Sequence, residues 1–302
     1  MIAIQHLTYN QIDKQKWDAC INNANNGLIY ACSFYLDTLA KNWDALILND
    51  YEAVMPLTWN KKFTKYYLFQ PPFCANLGVF GNNVTTETIT AFLEAVPKKY
   101  EYWDIYLNKS NYFISKIYSY YERINYTLSL NAPYETLYNN FRENVKRNIK
   151  KNIQLNCQVK KDILIDAVIE LAKEQASSFS KLTDADFDAI KLIYIYLKEN
   201  GKSTTYGVFL SNRLVASAAF FFFKNRAYYI IVGNHPDGKT IGASHALINA
   251  FIKDHCNQNL ILDFEGSDIQ SLAFYSSFGA GIEKYPAIKY NNLPRLIRWL
   301  KR

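Results

Sequence analysis

The sequence predicts a globular α/β or α+β protein, with α+β the fold class carried forward and length enough for two domains. Three observations lead there. The chain has 302 residues, enough for two domains that each bury a core of their own. Its composition, 49% hydrophobic, 20% charged and 16% aromatic, excludes a disordered chain. The third observation is the stretch from Tyr206 to Ala280, where a strand meander gives way to helix and strand in turn. Two apolar runs, Tyr206–Leu210 and Leu214–Phe223, meet across Ser211-Asn212-Arg213, and Ala227–Gly233 follows Lys224-Asn225-Arg226. A polar, glycine-containing loop, Asn234–Ile241, leads into a helical pattern from Gly242 to about Cys256. Strand Leu260–Phe264 carries Asp263 and runs out at Glu265 and Gly266, and a short helix with Phe274, Tyr275 and Phe278 closes the unit.

The elements before this stretch follow from the same periodicities. Asp13–Asn23 reads as a helix around Trp17, and Ser33 as the N-cap of the next one. Trp43–Leu48 and Tyr51–Trp59 read as strands paired across Asn49-Asp50, and Lys61–Tyr66 as a basic turn. Gln70-Pro71-Pro72-Phe73 makes an ordered turn, because proline breaks a helix interior. Thr85–Val96 is a helix, Tyr102–Leu107 a strand, and Tyr112–Leu130 a tyrosine-rich segment that continues as strand. Asn131-Ala132-Pro133 marks the expected boundary, giving domains 1–131 and 132–302. Beyond it, Tyr134–Asn156 is a single long helix whose stripe is Leu137, Phe141, Val145, Ile149 and Ile153. Its other faces carry Arg142, Lys146, Arg147, Lys150 and Lys151. A strand at Gln158–Lys160 and helices at Asp162–Phe179 and Asp184–Glu199 precede the meander. A strand at Ile282–Tyr290 and a basic helix at Leu293–Leu300 follow it.

Several classes are excluded or disfavoured. No run reaches the roughly 18–20 apolar residues of a membrane span. The first residues include His6, Asn10, Asp13 and Lys14 rather than an apolar leader, so the expectation is a cytoplasmic protein. Five scattered cysteines without a C-x-x-C pair, and four dispersed histidines, give neither a disulfide framework nor a metal site. A net charge of +7 favours an anionic partner such as coenzyme A, tRNA or a membrane surface. A plain Lys/Asn/Ile/Tyr bias explains it equally well.

The chemistry centres on the turn after Gly233. A helix start presents unpaired N–H groups and a partial positive charge, which suits a phosphate or pyrophosphate. Lys239 adds a full charge there, while Gly238 and Gly242 allow close approach. The G-x-G-x-x-G, P-loop, G-x-S-x-G and H-E-x-x-H patterns are absent. The order of elements, with Lys239-Thr240-Ile241-Gly242-Ala243-Ser244 in the place of an R/Q-x-x-G-x-G/A loop, resembles the GNAT acyltransferase superfamily. Lys stands there for Arg/Gln and Ser for the last Gly/Ala. Ser271 to Gly279 resembles that superfamily's A-x-x-x-Y-x-x-x-G helix, with Tyr275 in the tyrosine place. The run from Phe141 to Lys151 is similar to the basic R-x-N-I-R/K-K helix of Fem-type peptidyltransferases. Leu262-Asp263-Phe264-Glu265-Gly266 with Phe274, Phe278 and Gly279 resembles their Y-D-F-x-G…F-K-x-x-F-G signature, Tyr275 replacing the usual Lys.

The resemblance implies an α+β fold of two GNAT-like domains, each a mixed, largely antiparallel twisted sheet flanked by helices, the first degenerate and the second holding the acyl donor. It implies acyl transfer to a small-molecule or peptide amine, from acyl-coenzyme A or from an aminoacyl ester on tRNA. A tRNA would lie on Arg142, Lys146, Arg147, Lys150 and Lys151. Ile231, Val232 and Gly233 would face the acyl carbonyl, and the segment from Gly238 through Lys239, Thr240, Ile241, Gly242 and Ala243 to Ser244 the pyrophosphate. Tyr275 would protonate the leaving group, and Asp263 or Glu265 would act as base or hold the ammonium group. Each has a plainer reading: a packed tyrosine, fold-holding carboxylates, a solvated lysine face. A non-catalytic protein on the same fold is the third reading, and would keep the strand at Ile231–Gly233 fully paired to its neighbour, leaving no cleft.

Overall fold

The computed structural model describes residues 3–177, 182–265, 272–294 and 298. In chain order they form β1 (Ile4–Leu7), α1 (Lys14–Asn23), α2 (Ser33–Leu39), β2 (Trp43–Leu48), β3 (Ala53–Lys62), β4 (Lys65–Phe69) and β5 (Phe80–Gly81). Next come α3 (Thr86–Glu94), β6 (Tyr100–Tyr106), β7 (Tyr120–Ser129), α4 (Tyr134–Asn139), α5 (Glu143–Gln154), β8 (Gln158–Lys161), α6 (Ile165–Ala176) and α7 (Asp184–Glu199). The remainder is β9 (Ser203–Leu210), β10 (Arg213–Phe223), β11 (Arg226–Asn234), α8 (Pro236–Ile241), α9 (Ala243–His255), β12 (Ile261–Asp263), α10 (Leu272–Ser276) and β13 (Gly281–Asn291). The chain divides into two compact units, Met1–Ile124 with Lys284–Arg302, and Asn125–Glu283.

In the first unit β1, β2, β3 and β4 form an antiparallel ladder, β4 pairs parallel with β6, and β6 pairs antiparallel with β13. The core is apolar and aromatic, with Leu46, Met55, Phe92, Trp103 and Ile288 among its buried members. Asp13 caps α1 by accepting from the Gln15 and Lys16 N–H groups, which leaves Trp17 and Ile21 facing inward. Ser33 is the first helical residue of α2, not its cap. Cys32 takes the cap position, and the Asp18 carboxylate accepts from both the Ser33 N–H (2.7 Å) and Oγ (2.5 Å). The expected basic turn is mostly strand. Only Phe63 and Thr64 separate β3 from β4, with Phe63 at φ 54°.

In the second unit the sheet order is β7, β12, β11, β10, β9, β8, antiparallel except for β11 with β12. Ser211 and Asn212 both take positive φ, the conformation of a two-residue hairpin whose twist matches its strands. Helix α6 packs on β11 and β10, and α9 on β10 and β9. The long helix expected over Tyr134–Asn156 is two helices. Arg142 is extended, and its N–H donates to the Ser277 carbonyl (2.8 Å) instead of continuing the helix ladder. The stripe changes with that break. Leu137, Phe141, Val145 and Ile149 are buried, but Ile153 is 69% exposed. Asn152 replaces it on the inner face and donates to the Ile241 carbonyl (2.9 Å). Gly266, Ser271, Phe179 and most of the helix expected at Leu293–Leu300 lie outside the described residues.

Candidate active site

The site begins where two parallel strands part. β11 and β12 are in register only at Arg226/Ile261, Ala227/Leu262 and Tyr228/Asp263. β12 then ends, while β11 continues to Asn234 with its opposite edge laddered to β10. Among the described residues, no strand pairs with β11 on the β12 side beyond Tyr228. The register against β10 slips at the same level: Ile231 faces Ala219 and Tyr229 faces Phe220, which leaves Ile230 as a bulge. A bulge adds twist and re-aims the strand beyond it. The result is an open backbone edge containing Ile231, Val232 and Gly233.

Just before the parting lies a buried charge cluster. Arg226 binds the Asp263 carboxylate and contacts both Glu283 oxygens at 3.3 and 3.4 Å. Burial opposes its charge, but Asp263 and Glu283 more than restore it, so its pKa stands above the ordinary value. Asp263 also accepts from Asn125 Nδ2 (2.7 Å) and from the Glu265 N–H (2.9 Å). Its oxygens are thus committed to holding β11, β12 and the start of the next loop together. Glu265 comes two residues later with φ 70°, which turns the chain sharply away from β12.

Aromatic rings line the point of separation. Tyr275 stacks on Phe264 (4.5 Å, 24°) and presents an edge to Tyr229 (6.4 Å). Tyr229 is the first residue of β11 past the paired segment, and Phe264 the first past β12. Burial, then the neighbouring Tyr275, pushes the Tyr229 hydroxyl well above its usual pKa, so it keeps its proton. His245 lies against Phe274 and Phe278, and burial lowers its pKa, leaving it neutral at ordinary pH.

The glycine turn is more structured than a loop. His235 caps α8 by accepting from the Asp237 N–H (3.1 Å), Pro236 opens the helix, and Gly242 closes it in the left-handed region at φ 70°. Gly242 also serves as N-cap of α9. A Cβ on Gly238 would sit 2.0 Å from the Val215 carbonyl oxygen, and one on Gly233 2.7 Å from the Ala172 nitrogen. Both glycines therefore answer to packing, against β10 and α6 respectively. Lys239 and Thr240 are exposed, Ile241 and Ala243 buried, and the Ser244 hydroxyl bonds to the Asn234 side chain. The basic helix meets this corner directly: Lys151 donates to the Thr240 carbonyl (3.2 Å), and Asn148 reaches His245 Nδ1 (3.3 Å).

The fold thus brings Tyr275, Asp263, Glu265 and the open edge of β11 together, and sets α5 against the α8–α9 corner. The sequence reading passed over Tyr229, Arg226 and Glu283, and weighed His245 only as a metal ligand. Tyr229 sits in an apolar run where nothing distinguishes it, and Arg226 in what reads as a turn. Among the described residues, no group of three or more His, Cys, Asp or Glu side chains could hold a metal ion.

No protein-family model matches this sequence, nor does any curated protein. Solved structures do match. FemX superposes with a TM-score of 0.68 at 14% identity, over 99% of this chain and 100% of that one. L-PGS from Bacillus licheniformis gives 0.55 at 9%, over 95% of each chain. A tandem GNAT protein from the clavulanic acid biosynthesis pathway gives 0.54 at 9%, over 97% of this chain and 99% of that one. At such identities the likeness is one of fold. The fold is GNAT-like, a mixed, mostly antiparallel sheet flanked by helices, and it resembles that of FemX.

Proposed function

We propose that the chain is an N-acyltransferase that moves an acyl group from acyl-coenzyme A to an amine. The observation that carries this reading is the parting of β11 from β12 beyond Tyr228 and Asp263, with Tyr275 packed at the point of separation. An edge paired on both sides would have left no room for a thioester. On the open edge the Val232 N–H, which alternation turns away from β10 while those of Ile231 and Gly233 face it, suits the carbonyl oxygen, which gains charge as the amine attacks. The C–N bond forms, the C–S bond breaks, and the Tyr275 hydroxyl gives its proton to the leaving thiolate. Glu265 takes the proton that turns the ammonium group into an attacking amine, and the second proton, lost from nitrogen as the amide forms, restores the Tyr275 hydroxyl. Asp263, saturated by Arg226, Asn125 and the Glu265 N–H, positions this geometry and does not serve as base. The first-turn N–H groups of α9 at Ala243 and Ser244, with Lys239 beside them, suit the donor's pyrophosphate. The same reading makes Asn125–Glu283 the donor unit and the other unit a degenerate GNAT-like one. There, past the parallel pair of β4 and β6, Gln70 Oε1 accepts the Tyr106 N–H (3.1 Å), and the adjoining cavity is about 10 Å³. Five scattered cysteines without a C-x-x-C pair suit the reducing cytoplasm. Among the described residues, no helix is long and apolar enough to cross a membrane.

A second donor is favoured by the contact of α5 with the α8–α9 corner, which places Arg142, Lys146, Arg147, Lys150 and Lys151 on the helix beside the proposed donor turn. That suits an aminoacyl ester on tRNA. Thermal shift with acetyl-coenzyme A tests the first reading. Saturation should raise the midpoint, since a ligand at about a hundred times its Kd adds about 2.7 kcal/mol, and Lys239→Ala should weaken that response. No shift with coenzyme A or any acyl thioester, together with tRNA binding that falls steeply with salt, transfers the assignment to the second donor. Absence of both leaves a non-catalytic protein on this fold.

A further inference from the structure

A second surface of the Asn125–Glu283 unit carries most of the molecule's charge imbalance. Between Arg142 and Lys161 lie seven cations and one anion, Glu143, a net +6 beside +7 for the whole chain. The same stretch exposes aliphatic side chains: Ile153 is 69% exposed, Leu155 41% and Val159 38%. They belong to one side of the unit. Helix α5 packs on α9, and α9 on β8 and β9. The register of β8 sets Val159 opposite Val208 and Lys161 opposite Tyr206, on the sheet face whose Tyr206 meets Phe251 of α9.

Each half of this pattern alone has an ordinary cause. β8 is the outermost strand of its sheet, and lysines on an edge strand oppose unwanted pairing. That leaves Ile153 and Leu155, on a helix end and a turn, unexplained. A surface for single-stranded nucleic acid uses aromatic rings to stack on bases, and residues 142–161 hold none, while phosphate contacts to a folded RNA would give no use to the exposed Ile153 and Leu155. Aliphatic side chains ringed by lysines are the pattern that enters the headgroup layer of a bilayer, with ammonium groups at the lipid phosphates.

We propose that the α5–β8 surface docks on an anionic lipid bilayer. The assignment uses none of the residues placed at the parted strands and so stands apart from the acyl-coenzyme A reading, but it competes with the tRNA reading for the cations of α5.

Co-sedimentation of the full chain with phosphatidylcholine vesicles, with and without about a third phosphatidylglycerol, tests it. Wild-type chain should pellet with the anionic vesicles and stay in solution with the neutral ones. Lys161→Gln should weaken binding by roughly fivefold. Ile153→Ser with Leu155→Ser should weaken it by about tenfold, and more of the loss should remain at high salt. These side chains are exposed, so an unchanged melting midpoint shows that the variants fold. The salt and lipid dependence of wild type is a test that needs no variant. Failure of wild type to bind anionic vesicles overturns the proposal. So does a serine pair that binds vesicles like wild type. Tighter binding to tRNA than to vesicles, unaffected by the serine pair, replaces it with a nucleic-acid surface.

Discussion

Tyr275 and Tyr229 stand 6.4 Å apart, ring centre to ring centre, at the separation of β11 and β12. They differ in one respect that assigns their roles. Tyr229 is buried and holds its proton tightly, whereas Tyr275 is only partly buried. Tyr275→Phe keeps the stack on Phe264 and removes only the hydroxyl. Turnover should fall by about 10²-fold, within the range for a lost general acid, with the melting midpoint unchanged; steady-state kinetics and a thermal scan read both. Gly238→Ala separates packing from ligand contact, because its Cβ would meet the Val215 carbonyl at 2.0 Å. It should destabilise the fold by about 1–3 kcal/mol or more, measured by denaturant midpoint. Tyr275 and Asp263 stand out in the sequence because a short signature surrounds each. The commitment of Asp263 to Arg226 does not, since it depends on a strand register that brings residues 226 and 263 together.

At the scale of elements, legibility tracked local chemistry. α7 was readable at Asp184–Glu199 because Thr183 and Asp186 form a capping box and Asn200-Gly201 ends the helix. Thr183→Ala should remove about 1 kcal/mol, seen as a lower denaturant midpoint with unchanged slope. The hairpin of β9 and β10 was readable from Ser211-Asn212 for the same reason. The break between α4 and α5 was hidden, because the acceptor that draws Arg142 out of the helix is the carbonyl of distant Ser277. α8 lay between these cases. His235-Pro236 and Gly242 are a start and a stop, but only six residues apart, and a glycine and a lysine between them look like loop. Asn152, polar yet buried on an apolar stripe, is explained only by the Ile241 carbonyl it meets.

For the whole molecule, acid sensitivity follows from two imidazoles. Burial holds His245 and His255 below their ordinary 6.5. The unfolded chain then binds protons that the folded chain refuses, so this contribution is full above about pH 6.5 and is lost as pH falls below it. The melting midpoint should drop between about pH 7 and pH 5, and less steeply with His245→Gln and His255→Gln combined. The expected division at Asn131 assigned the last strand to the second domain, since nearness in sequence was the only guide. Ala287 to Asn291 instead pair with Tyr102 to Tyr106 of the first unit. That pairing has a consequence for biosynthesis. On the ribosome the first unit emerges early, but the strand that covers β6 arrives only after the entire second unit has been made. Until then the edge of β6, with Trp103 and Ile105, stays bare and open to chaperones or to a neighbouring nascent chain. Folding from the N-terminus therefore stalls one strand short, and the second unit is free to finish first.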